Sequence, residues 1–284
     1  MGWRPAHVAV ALSLMACALF AAWDAWTDIY LIAGKDEEAS HIFLVPLVVA
    51  WLVFARKERL RSMIPGGHWW GLATIALGAI LFRIGDRYLI QSFWHGGAVI
   101  MVLGGIITAC GRDVLRFFLP AFIACVFMVP IPGRVRQAVA VPLQNQTAKA
   151  TAAALELGGA DVQLSGNLIT VKGKPITVEE ACNGMRMVFA LALVSYTFAF
   201  ATPLRWYVRV LILLATPVSA VVCNVIRLVP TVYAYTLYSD SVAEKIHDVG
   251  GWVMLVVSFL LLMGIIRSLR WVGVPVTPFR LAAE

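Results

Sequence analysis

The stretch LIQSFWHGGAVIMVLGGIITAC, residues 89–110, decides the fold class. Apart from its terminal cysteine, His95 is its only titratable side chain. At about 1.5 Å per residue, a helix of this length covers the ~30 Å hydrocarbon core of a bilayer. The rest of the chain shares the bias: of 284 residues, 61% are hydrophobic and 14% charged, with a mean hydropathy of +0.83. Soluble domains are roughly 45–50% apolar and about 25% charged. A soluble globule is therefore excluded, and so is a disordered chain, which needs far more polar sequence. The fold class expected is an all-α polytopic membrane protein.

Working outward, eight apolar runs are long enough to be read as spans, near 7–26, 41–55, 69–85, 89–110, 114–130, 182–201, 206–236 and 247–267. The second is short, and the seventh carries Pro217 and Pro230, which predict a kink or a break. The first is read as an uncleaved span rather than a signal peptide, because eight spans give a consistent charge count. With a cytoplasmic N-terminus, twelve Lys and Arg fall in the inner connections and four in the short outer loops. That is the positive-inside bias, and it puts both termini in the cytoplasm. It also accounts for the net charge of +7 without nucleic acid as a partner, since the basic residues lie in short connections rather than in one patch.

The chain is read as one integral membrane domain over 1–284. It has five spans in 1–130, an outer loop in 131–181 and three spans in 182–284. The loop is not structureless. Val135, Val139 and Leu143, then Ala150, Ala153, Ala154 and Leu157, recur at helical spacing, with Pro142 expected to interrupt or bend the helix. Low hydrophobicity suggests a helix lying at the interface. Ile169 and Val171, a Lys-Gly-Lys-Pro turn, then Ile176 and Val178 predict a small β-hairpin resting on the outer surface. No internal repeat is evident.

The chemistry is concentrated at the outer ends of the last three spans. P-loop, GxSxG, HExxH and GxGxxG signatures are absent. Five cysteines with no CxxC pair argue against a disulfide framework or a zinc ribbon, and neither a metal nor a cofactor is expected. Cys17, Cys110, Cys125 and Cys223 lie in apolar runs, as packing residues do. Cys182 does not: it opens the sixth span within Glu179, Glu180, Ala181, Cys182, Asn183, Gly184, Met185 and Arg186. A helix N-terminus with a cation one turn on, Arg186, favours the thiolate. A lone interfacial cysteine is most often inert, and only these polar neighbours argue otherwise. Asn224 and Arg227 lie three residues apart in the seventh span, and His247 with Asp248 begins the eighth. Arg227 taken alone reads equally as a snorkelling arginine, and His247 as an interfacial cap. Together Cys182, Arg227 and His247 supply a nucleophile, an oxyanion stabiliser and a proton donor, the set that acyl transfer requires.

At these residues the chain resembles the exosortase/archaeosortase family. Ala181-Cys182-Asn183-Gly184-Met185-Arg186 is similar to the family's Ala-Cys-Ser-Gly-Ile-Arg, Asn224-Val225-Ile226-Arg227 to its Asn-x-x-Arg, and His247 to a histidine before the last span. Ser40-His41-Ile42-Phe43-Leu44-Val45-Pro46 resembles a Ser-His-Gly-x-Leu-Val-Pro stretch, and Pro130-Ile131-Pro132 also occupies its expected place. Asn183 and Met185 depart from the usual Ser and Ile, and the glycine after His41 is missing. Histidine at the third position is similar to the bacterial exosortase branch.

The resemblance implies a cysteine endopeptidase and transpeptidase of the bacterial inner membrane, with its site at the outer face. Its substrates would be exported proteins ending in a short motif resembling Pro-Glu-Pro, a transmembrane helix and a basic tail. By similarity Cys182 is the nucleophile, His247 the general acid and base, and Arg227 the oxyanion stabiliser, supported by Arg186, Asn224, Asn183 and Glu180. The acyl group would pass from Cys182 to an acceptor. A rival reading is a non-catalytic scaffold or transporter component of an exopolysaccharide system. It is disfavoured at this point because a transporter needs polar residues deep in several helices and the central spans look apolar. A plain intramembrane protease differs only in using water as the acceptor.

Overall fold

A computed structural model of the chain describes residues 5–63, 66–178 and 184–277. Helix makes up 81% of it, so the all-α expectation holds apart from one small sheet. The chain divides into two compact units, Met1–Pro132 and Gly133–Glu284.

The first unit contains α1 (Pro5–Ala21), α2 (Trp23–Lys35), α3 (Val45–Phe54), α4 (Trp69–Tyr88), α5 (Gln91–Cys110) and α6 (Arg112–Ala124), with 3₁₀ turns over Glu37–Leu44, Lys57–Ser62 and Cys125–Met128. The expected first span is divided at Ala22, where α1 and α2 meet at 78°. Helices α4 and α5 form the tightest pair. Gly71, Gly78 and Gly85 recur every seven residues on α4, and Gly97 and Gly104 do so on α5. A Cβ at Gly71 would come within 2.3 Å of the Thr108 backbone nitrogen, one at Gly78 within 2.8 Å of Met101 N, and one at Gly85 within 2.2 Å of Trp94 N. The backbones therefore touch along an antiparallel seam that only glycine permits, as small residues allow between membrane helices. Across the unit, the buried His95 ring places Nε2 2.9 Å from Asp28 Oδ2 and joins α5 to α2.

The second unit contains α7 (Gly133–Leu157), β1 (Val162–Ser165), β2 (Leu168–Val171), β3 (Lys174–Thr177), α8 (Gly184–Ala201), α9 (Trp206–Leu237) and α10 (Asp240–Trp271). The expected hairpin is present as β2 and β3, paired antiparallel with Val171 opposite Lys174. Its turn is Lys172 and Gly173, with φ of 52° and 76°, the left-handed pair that tight hairpins use. Pro175 sits on the edge strand, where no donor is required of it. Strand β1 was not expected; it adds a third strand, with Val162 opposite Val171.

Several expectations are corrected. Pro142 does not interrupt α7, and α9 continues as one helix through Pro217 and Pro230. The non-helical residue is Phe118 in α6, two residues before Pro120. The helix expected from that spacing is present as α7; inside the protein it buries Thr147, Ala148, Thr151, Ala152 and Leu155, whereas Val135, Val139, Ala150, Ala153 and Leu157 are exposed. Among the described residues, α5 and α9 are long and apolar enough to cross a membrane, and up to four spans result if each of two bent helix pairs counts as one. The protein is a helical membrane protein.

Candidate functional site

The site grows from α9. A buried face runs along it through Ile212, Thr216, Ser219, Ala220, Cys223, Asn224, Arg227, Leu228, Thr231 and Val232. Two hydroxyls on that face are satisfied by the helix itself: Thr216 Oγ1 donates to the Ile212 carbonyl at 3.0 Å and Thr231 Oγ1 to the Arg227 carbonyl at 2.8 Å. Asn224 and Arg227 are 6% and 5% exposed, so the two residues of the second motif share a buried face one turn apart. A guanidinium at that depth is not a surface snorkel; it is held inside the protein.

Helix α10 supplies the other wall. A Cβ at Gly250 would lie 3.0 Å from Arg227 Cγ and 3.4 Å from Cδ. The missing side chain at Gly250 lets the stem of Arg227 lie against α10. Position 247 is one turn earlier on the same face of α10, so the backbone that carries His247 is adjacent to the backbone that Arg227 touches. The side chain of His247 is outside the description. Between α9 and α10 a groove of about 510 Å³ is walled by Ile226, Pro230, Val242, Ile246, Val253 and Met254, with Arg227 and Lys245 as its cations. Apolar walls around one guanidinium raise its electrostatic worth over that in water.

Cys182, Glu180 and Asn183 lie outside the described residues, and of Arg186 only its place in the first turn of α8 is described. The chain on the near side of Cys182 is well anchored. Val178 is 2% exposed, and its N–H donates to the Asn167 carbonyl at 2.9 Å. It packs in one cluster with Ala148 and Leu155 of α7, Ile169 and Val171 of β2, and Leu228 and Val232 of α9. Leu228 directly follows Arg227. Val178 is four residues before Cys182, a stretch of chain that reaches at most ~14 Å. Lys174 Nζ adds a bond to the Tyr235 carbonyl at 2.8 Å, again joining the sheet to α9.

Among the described cysteines, Cys110 and Cys223 are buried and Cys125 is half-buried, donating to the Ala121 carbonyl at 3.4 Å, while Cys17 is exposed. No group of three or more His, Cys, Asp or Glu able to hold a metal occurs among the described residues.

Sequence reasoning missed three features. Gly250 carries no polar signal, and only its contact with Arg227 reveals it. The pairing of His95 with Asp28 joins residues 67 apart, and nothing in local pattern relates them. The third is the polar interior. Beyond the motif residues, Ser195 on α8, Thr216, Ser219 and Thr231 on α9, and Ser258 on α10 are buried, as is His95 in the central helix α5. Of these only His95 lies in a central span, so the expectation that the central spans lack buried polar groups fails at that residue.

Residues 23–264 match the family model described as "Transmembrane exosortase (Exosortase_EpsH)". No curated protein and no solved structure matches the chain significantly.

Proposed function

The chain belongs to the transmembrane exosortase family, and on that premise we propose that it is a membrane-embedded cysteine transpeptidase acting on C-terminal sorting signals. The observation that carries the reading is the burial of Arg227 against Gly250, one turn from position 247, on the helix whose Leu228 packs with Val178.

In this reading Cys182 gives its proton to His247, and the thiolate attacks the scissile carbonyl. The oxyanion that forms is stabilised by the Arg227 guanidinium. Collapse breaks the C–N bond, and His247 returns its proton to the departing amine, leaving a thioester on Cys182. An acceptor nucleophile then attacks the thioester while His247 takes its proton, the C–S bond breaks, and the free cysteine is restored. Arg186 and Glu180 tune the thiol, and Asn224 and Asn183 orient the groups around it. A substrate whose signal includes a transmembrane helix presents its scissile bond at a fixed depth. The substrates would be exported proteins with a short motif resembling Pro-Glu-Pro, one transmembrane helix and a basic tail.

The buried polar row of α9 favours one rival, a scaffold or transporter component of an exopolysaccharide system, in which these groups line a pathway. The deciding experiment is a gel-shift assay of a co-expressed substrate with its cognate tail, comparing wild type with Cys182→Ala.

The proposed location is the bacterial inner membrane, with eight spans, both termini cytoplasmic and the site at the outer face. A reporter active only outside the cytoplasm is expected to be active when fused within 131–181 and silent after Arg270. The reverse pattern puts Cys182 in the cytoplasm and overturns the sorting role.

The sheet is proposed to position the nucleophile. Ile169 and Val171 are 0% and 1% exposed in the cluster that holds Val178. The double change Ile169→Ala and Val171→Ala removes buried methyls, at about 2–5 kcal/mol for the isoleucine alone. Processing is expected to fall while the amount of membrane-inserted protein holds. Wild-type processing would make the sheet a passive connector.

A further inference from the structure

At the opposite end of α10 from His247, a second pocket of about 550 Å³ opens between α8, the connection before α9 and the last turns of α10. Its walls are Phe198, Leu204, Met263 and Ile266, and its rim carries Arg267 and Arg270, with Trp271 beside them. The pocket plays no part in the proposed transfer reaction. Arg267 is 19 residues from Asp248 along α10, which is ~28 Å at helical rise.

We propose that this pocket binds an anionic phospholipid, its phosphate held by Arg267 and Arg270 and the head of an acyl chain laid on Phe198, Met263 and Ile266. Four observations support it. First, the charge is uncompensated: residues 196–215 and 256–277 contain Arg205, Arg209, Arg267 and Arg270 and no Asp or Glu. Second, the two rim arginines are uncommitted, since neither makes an ion pair or a hydrogen bond among the described residues. Arg205 is committed elsewhere, its Nε donating to the Thr277 carbonyl at 3.2 Å, and Arg209 stacks on Phe200 at 5.3 Å. Third, Arg267 and Arg270 are three apart on one helix, so their Cβ atoms are about 5–6 Å apart and both guanidinium forks reach one phosphate. Fourth, Trp206 and Trp271 are 74% and 88% exposed at this end, as tryptophans are at a membrane–water interface. A pocket at that depth meets headgroup and upper chain together.

A positive-inside arginine pair explains the charge but not the apolar cavity behind it. The size fits a small amphiphile, because ligand pockets run about 300–1,000 Å³. The chain next to the pocket is also tied down: the Arg205 N–H donates to the Val276 carbonyl at 3.0 Å, and Tyr207 Oη donates to the Pro275 carbonyl, fixing the chain after α10 against the start of α9. Basic pockets between membrane helices are an established way of binding anionic headgroups.

The test uses the full chain purified in detergent, with thermal unfolding and native mass spectrometry read against added phosphatidylglycerol, phosphatidylcholine or inorganic phosphate. Wild type is expected to retain phosphatidylglycerol and to gain roughly 2–4 °C or more in Tm with it alone. Arg267→Gln with Arg270→Gln is expected to lower that affinity at least tenfold. The corresponding pair of Lys substitutions should recover only part of it, because a point charge lacks the guanidinium fork. Each single Gln variant, with its Tm measured before lipid is added, separates lost binding from lost folding. Equal effects of the two lipids overturn the proposal, as does a double Gln variant that keeps the wild-type preference. Inorganic phosphate giving the full shift overturns the lipid assignment.

Discussion

Cys182→Ala is expected to abolish processing of a co-expressed substrate bearing its cognate tail, with the variant still inserted in the membrane and still able to bind that substrate. The effect is all or none because nothing else in the chain can form the thioester. Cys110 and Cys223 are buried, Cys125 donates to its own helix, and Cys17 sits on α1 in the first unit. Those four are expected to tolerate Ala or Ser. Cys182→Ser is expected to be nearly as inactive as Cys182→Ala, since an alcohol is a far poorer nucleophile than a thiolate and needs a strong base to activate it. The size of the loss bears on mechanism too. A residual rate in the Ser variant, with none in the Ala variant, marks position 182 as the point of attack. Full processing by Cys182→Ala removes the enzyme reading and leaves the scaffold or transporter, which the buried polar row of α9 would then serve.

Much of this arrangement was readable from sequence, and the failures have physical causes. Apolar run length found helical segments, but among the described residues only α5 and α9 are by themselves long and apolar enough to cross a bilayer. Run length does not report how a helix is bent, so the break at Ala22 and the irregular Phe118 went unseen, while Pro142, Pro217 and Pro230 suggested a break or a bend and no break occurs at them. Which face of α7 packs inside the protein was not legible, because alanine and threonine differ little in burial preference. Ala150, Ala153 and Ala154 made as good a stripe as Ala148, Thr151 and Ala152, and only contact with α9 decides between them. Strand β1 escaped because its alternation, Val162-Gln163-Leu164-Ser165, runs for only four residues. The seven-residue glycine spacing of α4 and α5 was present in the sequence all along; it reads as a repeat only once two backbones are known to touch. For the site, residue type and spacing selected Asn224 and Arg227, and the structure buries both on one face. Gly250 has no side chain by which a motif could announce it.

Arg227→Lys is the other large expected loss. Lysine keeps the charge, so a site that needs only a cation retains its rate. A site that needs a planar donor fork aimed at a developing oxyanion loses roughly 10²–10³ in kcat, the usual cost of one such donor. Gly250 supplies an independent route to the same test without touching the guanidinium. An added Cβ there meets Arg227 Cγ at 3.0 Å, so Gly250→Ala asks the arginine stem to move by a few tenths of an ångström, and Gly250→Val asks for more. Displacement of a preorganised group is felt chiefly in the chemical step. Both glycine variants are therefore expected to lower kcat, Val more than Ala, with KM for the substrate little changed. His247→Ala, one turn away on α10, should differ in kind: with no group to take the thiol proton, protonate the leaving amine or activate the acceptor, both formation and resolution of the acyl-enzyme slow. Single-turnover measurements distinguish the two. Near-wild-type kcat in Arg227→Lys ends the oxyanion role of the guanidinium. A rise in KM alone in Gly250→Val would make the arginine a substrate-binding group.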